Sequence, residues 1–225
     1  MVSKQAKEVI VQVLNVFETG SKEGVYDSLV VYPDGHGESY QITYGRCQTT
    51  EQGNLATLID AYVENEGRFA EEFVPYLERI GRVPLADDEG FKNLLRRAAR
   101  EDPIMKTTQD AFFDAIYWKP AVEWFDAHGF KLPLSMLVVY DSFIHSGGIL
   151  WFLRKRFSAL PPSKGGDERR WIASYVDIRH QWLKYHSRAL LRKTIYRTQT
   201  FLTEMERDNW ALETLPINAN GCLVP

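Results

Sequence analysis

Cysteine is scarce in this sequence: only Cys47 and Cys222 occur among 225 residues. Two cysteines are too few for the set of bridges that stabilises a small disulfide-rich domain. Without a second cysteine pair or a histidine cluster, they also give no zinc-binding pattern. We therefore expect two free thiols, with a single bridge between them as the alternative.

Long apolar runs are missing as well. No stretch of 18 consecutive apolar residues occurs, and the first 20 residues interleave charged and apolar side chains. The sequence therefore predicts neither a membrane span nor a signal peptide. Phosphate-binding loops, a Ser/His/Asp signature and metal-ligand clusters are also absent, so we expect no cofactor and no metal.

What the sequence does contain is typical of a globular protein. It is 44% hydrophobic, 13% aromatic and 25% charged, which excludes disordered, collagen-like and fibrous proteins. A chain of this length fits one large domain or two closely joined lobes.

Charge is distributed unevenly along the chain. The formal net charge is −3, but residues 1–90 hold 16 acidic and 7 basic residues, whereas the remainder holds 14 acidic and 20 basic residues. This asymmetry fits either two solvated faces or an acidic cleft wall that attracts a cationic ligand. The basic runs LRKRF and GGDERRW are interpreted as solvated helix faces, because the pI is near 6.0 and no nucleic-acid-binding motif is present.

Apolar residues at helical spacing predict that helix dominates the chain. The first apolar stripe consists of Val9, Ile10, Val13, Leu14 and Phe17. The predicted helices cover residues 5–18, 55–63, 69–80, 88–100, 103–127, 133–146, 148–158, 168–188 and 189–208.

One segment is different. Between Gly24 and Arg46 the run VYDSLVVYPDGHGESYQITYG is rich in β-branched and aromatic residues and is interrupted by proline and glycine. This pattern predicts a short antiparallel hairpin or small sheet. The last residues, LPINANGCLVP, are expected to form an irregular tail. The sequence therefore predicts a mainly α fold with a small antiparallel β-sheet.

Two carboxyl groups fall in unlike surroundings. Glu18 ends the first predicted helix at the border of its buried stripe, where partial desolvation favours the protonated form that a general acid needs. Asp34 lies in the polar turn PDGHG, where solvent and backbone N–H groups keep a carboxylate ionised. Glycoside hydrolysis requires such a pair, although an ordinary surface Glu and a turn-forming Asp give the same pattern.

Charged residues also occur in the apolar segment SMLVVYDSFIHSGG, which is predicted to be a buried central helix. Asp141 and His145 are four residues apart and so share one face. A buried ionised carboxylate needs a cationic partner, and a later helix supplies several arginines. His145 is interpreted as a hydrogen-bonded core histidine or, alternatively, as a functional group.

Four ordered blocks resemble the chitosanases of glycoside hydrolase family 46. They are PDGHGESYQITYGRC, QDAFFDAIYWKPAVEWFDAHGF, LVVYDSFIHSGG and GGDERRWIASYVDIRHQWL. The resemblance covers roughly residues 5–205 and implies a two-lobed, lysozyme-like fold with a substrate cleft between the lobes. We expect a single catalytic domain, with a smaller β-containing lobe at about 19–100 and a larger helical lobe formed by about 1–18 and 101–210. The family also implies an inverting acid/base mechanism.

The resemblance implies roles for individual residues. Glu18 matches the general acid, Asp34 the general base, and Ser39 a hydroxyl residue that helps to hold the attacking water. Arg179 matches an arginine that faces the catalytic Glu, and Asp141 matches the carboxylate that anchors the basic network behind it. The second cation of this network is left open among Arg192, Lys193 and Arg197.

Substrate contacts depart from the family pattern. His36 stands in place of a common Arg, Glu38 in place of a common Tyr, and Asn54 in place of an Asp that recognises the amino group of the substrate. Glu51 is a candidate to replace that Asp, and Tyr40 is a candidate lining residue. These changes make the sugar specificity an open question, because Asn offers no charge to a cationic sugar.

Three functions are therefore considered. The first is an endo-acting chitosanase that cleaves β-1,4 links in a glucosamine polymer, and the alternative is a muramidase-like peptidoglycan hydrolase, such as a phage lysin or secreted effector. The third is a catalytically silent glycan-binding protein, which the retention of both carboxyl groups disfavours. We expect a secreted monomer, or one acting on extracellular or cell-wall glycan, with a polysaccharide as partner and neither nucleic acid nor membrane.

Overall fold

The computed structural model describes residues 2–46 and 48–225. It confirms a mainly helical chain with a small antiparallel sheet. The chain divides into two compact units: Met1–Glu23 with Ile116–Pro225, here named the helical unit, and Gly24–Ala115, here named the β-containing unit.

Helix α1, Lys4–Thr19, begins the helical unit and has clear boundaries. The Ser3 hydroxyl accepts a hydrogen bond from the backbone N–H of Ala6 at 3.1 Å and so caps the first turn. Gly20 adopts φ 75° and donates its N–H to the Val16 carbonyl, which ends the helix. The apolar stripe is buried, as its spacing predicts.

Helix α7 is the core of the helical unit. Every residue from Leu134 to Ser142 is buried, and Gly147 ends the helix at φ 71°. Helix α7 contacts α1, α6, α9 and α11. The later helices of this unit are α6 (Lys119–Ala127), α7 (Pro133–Ser146), α8 (Trp151–Arg154), α9 (Glu168–Lys184), α10 (Ala189–Arg192) and α11 (Tyr196–Glu206).

Two predicted helices are shorter or broken in the structure. The helix predicted at 148–158 is confined to Trp151–Arg154, because the Arg154 guanidinium donates to the carbonyls of Phe157 and Ala159 and holds an open turn there. The helix predicted at 189–208 is divided by a 3₁₀ turn over Lys193–Ile195. The predicted boundaries were wrong at these places.

The C-terminal tail is also ordered, contrary to the prediction. Strands β4 (Ile217–Ala219) and β5 (Cys222–Val224) form an antiparallel hairpin. Asn220 and Gly221 make its two-residue turn with φ values of 51° and 89°. An Asn-Gly pair is a strong hairpin signal, so the sequence carried the information.

The β-containing unit combines a three-stranded antiparallel sheet with four helices. Its strands are β1 (Leu29–Tyr32), β2 (Gln41–Tyr44) and β3 (Thr49–Thr50), in the order β1-β2-β3. Tyr32 pairs with Gln41 at the end of the β1–β2 ladder that the connecting loop closes. The PDGHG turn is part of that loop. The helices are α2 (Leu55–Glu64), α3 (Ala70–Leu77), α4 (Glu89–Glu101) and α5 (Pro103–Phe113). A π-helical turn over Asp114–Trp118 separates α5 from α6 in the predicted 103–127 helix.

A buried hydrogen-bond cluster fixes the helices of this unit. The Tyr62 hydroxyl donates to the Asp102 carboxylate at 2.6 Å and accepts from the Phe69 N–H at 3.0 Å. Asp102 also accepts the backbone N–H groups of Arg68 and Ile104. Burial raises the pKa of Asp102, but these donors outweigh it and the net pKa is lowered.

Three further expectations concern cysteines, membranes and metals. Cys222 is a free thiol, and Cys47 lies outside the described residues. No helix within the described ranges is long and apolar enough to cross a bilayer. In the same ranges, no group of three or more His, Cys, Asp or Glu side chains could hold a metal ion.

The Tyr62 cluster leads to a stability prediction. Tyr62→Phe removes one donor and one acceptor and leaves the N–H of Phe69 without its partner, so we expect a loss of about 1–3 kcal/mol in the free energy of unfolding. Urea denaturation measures this loss. Tyr185→Phe, at a side chain that is 73% exposed, is the control and should be neutral. Equal stability of Tyr62→Phe and wild type would contradict the assignment.

Candidate active site

Glu18 lies in the last turn of α1 with its side chain only 14% exposed. Its Oε1 accepts a hydrogen bond from Arg197 Nη2 at 2.5 Å. Arg197 comes from α11, is itself buried, and covers the ring of Phe17 at 5.4 Å. Burial opposes the charge on Arg197, but the carboxylates of Glu18 and Asp141 outweigh burial and raise its pKa.

Asp141 anchors this arginine. The carboxylate is fully buried on α7; its Oδ1 lies 2.7 Å from Arg197 Nη1 and its Oδ2 lies 2.6 Å from Arg179 Nη1. Burial raises the pKa of Asp141, but the charges of Arg179 and Arg197 more than offset it, so the net pKa is lowered. Asp141 therefore stays ionised and holds two arginines from two helices.

The end of this chain of charges is neutral. Arg179 Nη1 donates to the Ser142 hydroxyl at 3.2 Å, and Arg179 Nη2 lies 3.3 Å from His145 Nδ1. Since a guanidinium can only donate, Nδ1 is the acceptor and the ring proton is on Nε2. Burial, followed by the charge of Arg179, lowers the pKa of His145 to about 4. His145 is therefore a neutral acceptor at neutral pH.

Asp34 lies in the exposed turn between β1 and β2. Its Oδ1 accepts a hydrogen bond from Gln41 Nε2 at 3.0 Å. We expected backbone N–H groups of the turn to hold this carboxylate, but they bond elsewhere: Gly35 to the Ser39 carbonyl, and His36 to Gln52 Oε1. A side-chain amide at the start of β2 supplies the donor instead.

Ser39 is connected to the same turn by Gln52. Gln52 Nε2 donates to the Ser39 hydroxyl at 2.9 Å, and the backbone N–H of Gln52 donates to Gln41 Oε1 at 3.1 Å. Gly35 has an ordinary extended backbone, but a Cβ there would lie 2.6 Å from both Gln52 Nε2 and Ser39 Oγ. The same Cβ would lie 2.8 Å from the Ser39 carbonyl oxygen, and because that contact is with backbone, glycine is favoured at this position.

The predicted substrate contacts differ in accessibility. His36 and Tyr40 are exposed, and Asn54 is half-buried at the N-cap of α2 without a side-chain capping bond. Glu51 is only 2% exposed, and its two carboxylate oxygens accept the backbone N–H groups of Ile42 and Leu85. Its position does not support the expectation that Glu51 contacts the substrate, because the carboxylate holds the sheet to the following loop.

The contacts of the two arginines in the charge network differ from those predicted from the sequence. Arg197, one of the three candidates, contacts Glu18, whereas Arg179 lies one step behind it against Asp141. Arg192 is exposed and donates to the carbonyls of His186 and Ser187. Sequence reasoning also missed several neutral polar residues: Gln41, Gln52, Ser142 and Tyr175, whose hydroxyl donates to Ser142.

Comparison with known proteins assigns the chain to a class of enzyme. The sequence model of glycosyl hydrolase family 46 matches residues 12–217. The protein therefore belongs to glycosyl hydrolase family 46 and is a glycosidase. It is 24% identical over 226 residues to a chitosanase of Bacillus subtilis (strain 168), covering 93% of this chain and 80% of that protein.

Solved structures show the same fold. The native chitosanase of Bacillus subtilis MY002 matches with a TM-score of 0.84 at 21% identity over 100% of both chains, and a variant of it complexed with six GlcN units matches equally well. A family 46 chitosanase of Gynuella sunshinyii in complex with chitotetraose matches with a TM-score of 0.81 at 24% identity, over 99% of this chain and 98% of that one. The predicted fold class is therefore confirmed.

The neutral His145 predicts a pH-dependent stability. Its folded pKa of about 4 lies below the unfolded value of about 6.5, so the unfolded chain binds a proton first as pH falls. Wild type should therefore lose about 2–3 kcal/mol more than His145→Asn between pH 7 and pH 4, since Asn still offers Arg179 an acceptor. Urea denaturation at each pH tests this. His36→Asn, at an exposed position, should follow wild type; a His145→Asn slope equal to wild type would refute the assignment.

Proposed function

We propose that this protein hydrolyses chitosan, cleaving β-1,4 links within the polymer. The observation that carries the proposal is the family match itself, because the matched residues include both carboxyl groups. Glu18 is largely buried against Arg197, whereas Asp34 is exposed beside an amide. The chitosanase relatives, two of them with glucosamine oligomers bound, support chitosan as the substrate. The site of action proposed is an extracellular or cell-wall glycan.

Glu18 is the proposed general acid. It donates its proton to the oxygen of the glycosidic bond as that bond breaks. Arg197, 2.5 Å from the Glu18 carboxyl, stabilises the carboxylate that remains. Arg197 is held in turn by Asp141, so its charge is already oriented before the reaction begins.

Asp34 is the proposed general base. It removes a proton from a water molecule that attacks the anomeric carbon on the face opposite to the leaving group. Ser39 helps to hold that water through its hydroxyl. Because the water attacks directly, the reaction is a single displacement and inverts the configuration at the anomeric carbon.

Contacts to the sugar chain are proposed for the surface around the turn. Tyr32 and Tyr40 are 57% and 62% exposed on either side of Asp34 and offer apolar faces to sugar rings. His36 and Asn54 offer hydrogen bonds. The β-containing unit has 17 acidic and 9 basic residues, and this excess of negative charge favours a polymer of cationic glucosamine units.

The assigned acid and base lead to a kinetic prediction. Glu18→Gln and Asp34→Asn should fold normally and each lower the rate of chitosan hydrolysis by at least about 10²-fold, because the proton transfers are lost. Release of new reducing ends measures the rate. A variant that keeps more than about a tenth of the wild-type rate would remove that residue from its role.

Matched variants and a second substrate complete this experiment. Glu8→Gln on α1 and Asp60→Asn on α2 make the same chemical changes at exposed positions and should retain the wild-type rate. Purified peptidoglycan should give no new reducing ends. Activity on peptidoglycan with none on chitosan would transfer the assignment to the muramidase-like alternative while leaving the acid and base roles in place.

Stereochemistry provides a separate prediction. A single displacement at a β-link releases the α-anomer first, whereas a covalent intermediate would release the β-anomer. Proton NMR of the product formed within the first minutes, before mutarotation, distinguishes the two. The α-anomer is expected. Initial appearance of the β-anomer would make Asp34 a nucleophile instead of a base.

A further inference from the structure

Two glutamine side chains connect the elements of the Asp34 turn. Gln41 is 6% exposed at the start of β2, and Gln52 follows β3. Three hydrogen bonds link them to the turn, and a fourth links them to each other. These run from Gln41 Nε2 to Asp34 Oδ1 (3.0 Å), from the Gln52 N–H to Gln41 Oε1 (3.1 Å), from the His36 N–H to Gln52 Oε1 (2.7 Å), and from Gln52 Nε2 to Ser39 Oγ (2.9 Å).

Backbone groups set the direction of these bonds. A backbone N–H can only donate, so the amide atom facing it must be the oxygen. The N–H of Gln52 therefore fixes the amide of Gln41, and the N–H of His36 fixes the amide of Gln52. The NH₂ group of Gln41 therefore points at Asp34, and the NH₂ group of Gln52 points at Ser39. The backbone donors therefore decide which end of each amide is the oxygen and which is the nitrogen.

These bonds leave Asp34 and Ser39 each with one hydrogen-bonding group for a water molecule. Asp34 receives a donor on Oδ1, while Oδ2 accepts no hydrogen bond from residues 2–46 or 48–225 and is available to a water molecule. Ser39 Oγ accepts from Gln52, and within those same ranges its own proton has no acceptor. The hydroxyl is therefore free to donate to a water oxygen, and the carboxylate is free to take a proton from it.

We infer that Gln41 and Gln52 are positioning residues for the hydrolytic water: Gln41 orients the Asp34 carboxylate, and Gln52 turns the Ser39 hydroxyl into a donor. The inference rests on the proposed function, which assigns the base role to Asp34. The close approach at Gly35 supports it, since any Cβ there would displace the Gln52–Ser39 contact. Each glutamine is proposed to act through another side chain, Gln41 through Asp34 and Gln52 through Ser39.

Gln52→Glu tests the second half of the inference. The carboxylate can still accept the His36 N–H but cannot donate to Ser39, so the Ser39 hydroxyl reverses and donates to the new carboxylate. We expect kcat to fall about tenfold with KM changed less than about twofold, because the water loses a donor and the sugar contacts remain. A merely structural role would instead lower the melting temperature and leave kcat of the folded fraction unchanged.

A double-mutant cycle with Ser39→Ala shows whether Gln52 acts through Ser39. If it does, Gln52→Glu should have almost no further effect on kcat in the Ser39→Ala background, although it has a large one alone. If the fold-reductions in kcat of the two single variants multiply in the double variant, the inference for Gln52 is overturned.

Gln41→Glu and Gln41→Met test the first half. Both remove the donor to Asp34, and we expect about a tenfold loss of kcat for Gln41→Met. Gln41→Glu adds a negative charge beside the base, which favours protonated Asp34, so the acidic limb of its kcat profile should move to higher pH. The neighbouring ionisable groups His36 and Glu38 are the same in every variant. A Gln41→Glu profile that coincides with wild type would overturn the inference for Gln41.

A control separates a failed inference from a failed assignment of the base. Gln48→Glu makes the same change in the same unit, at a glutamine bonded to Ser28 and the Gly45 carbonyl, and should leave kcat and its pH profile as in wild type. If Asp34→Asn is inactive but the Gln41 and Gln52 variants equal wild type, only the positioning role is wrong. If Asp34→Asn is active, the proposed base itself is wrong.

Discussion

The buried carboxylate of Asp141 is the interaction on which the rest of the helical unit depends. An unpaired charge in that position would cost several kcal/mol, so α7 can carry it only if other helices bring cations to it. Arg179 on α9 and Arg197 on α11 do so, one to each oxygen. Because Arg197 also binds Glu18, the packing that neutralises Asp141 fixes the end of α1 as well. One constraint therefore connects the stability of the helix packing with the orientation of Glu18, the proposed acid.

The β-containing unit holds its carboxylate by a different kind of contact. Asp34 is exposed and meets the neutral amide of Gln41, without a cation in hydrogen-bond contact among the described residues. A cation there would lower the affinity of the carboxylate for a proton and would repel a cationic sugar. An amide donor orients the group without adding a positive charge beside it. Glu18, the proposed acid, therefore contacts a charged side chain, and Asp34, the proposed base, contacts a neutral amide.

Much of the fold could be predicted because helical periodicity is a local property. The α1 stripe and its Gly20 stop correspond closely to the observed helix. The charge network was harder to predict, since Arg192, Lys193 and Arg197 lie within six residues and the sequence does not show that Arg197 is buried whereas the other two are exposed. Glu51 was predicted to contact the substrate because the sequence does not reveal that its carboxylate is buried. A carboxylate can accept backbone N–H groups, as it does here, as readily as it can bind an amino sugar. Gln41 and Gln52 carry no charge and follow no apolar period, so nothing distinguished them before the turn was seen.

For the proposed chitosan substrate, we expect recognition of the amino groups to be distributed differently from the pattern that the resemblance implies. Asn54 has no charge, and the Glu51 carboxylate is buried, so neither provides an exposed anion beside the turn. Among the described residues of the turn, the exposed anions are Asp34 and Glu38. For the proposed polycationic substrate, we therefore expect attraction by the summed field of an acidic surface. Such a field acts on many glucosamine units at once and fixes none of them in register. We expect the register along the cut bond to be set by the neutral groups of the turn and by the exposed tyrosine faces.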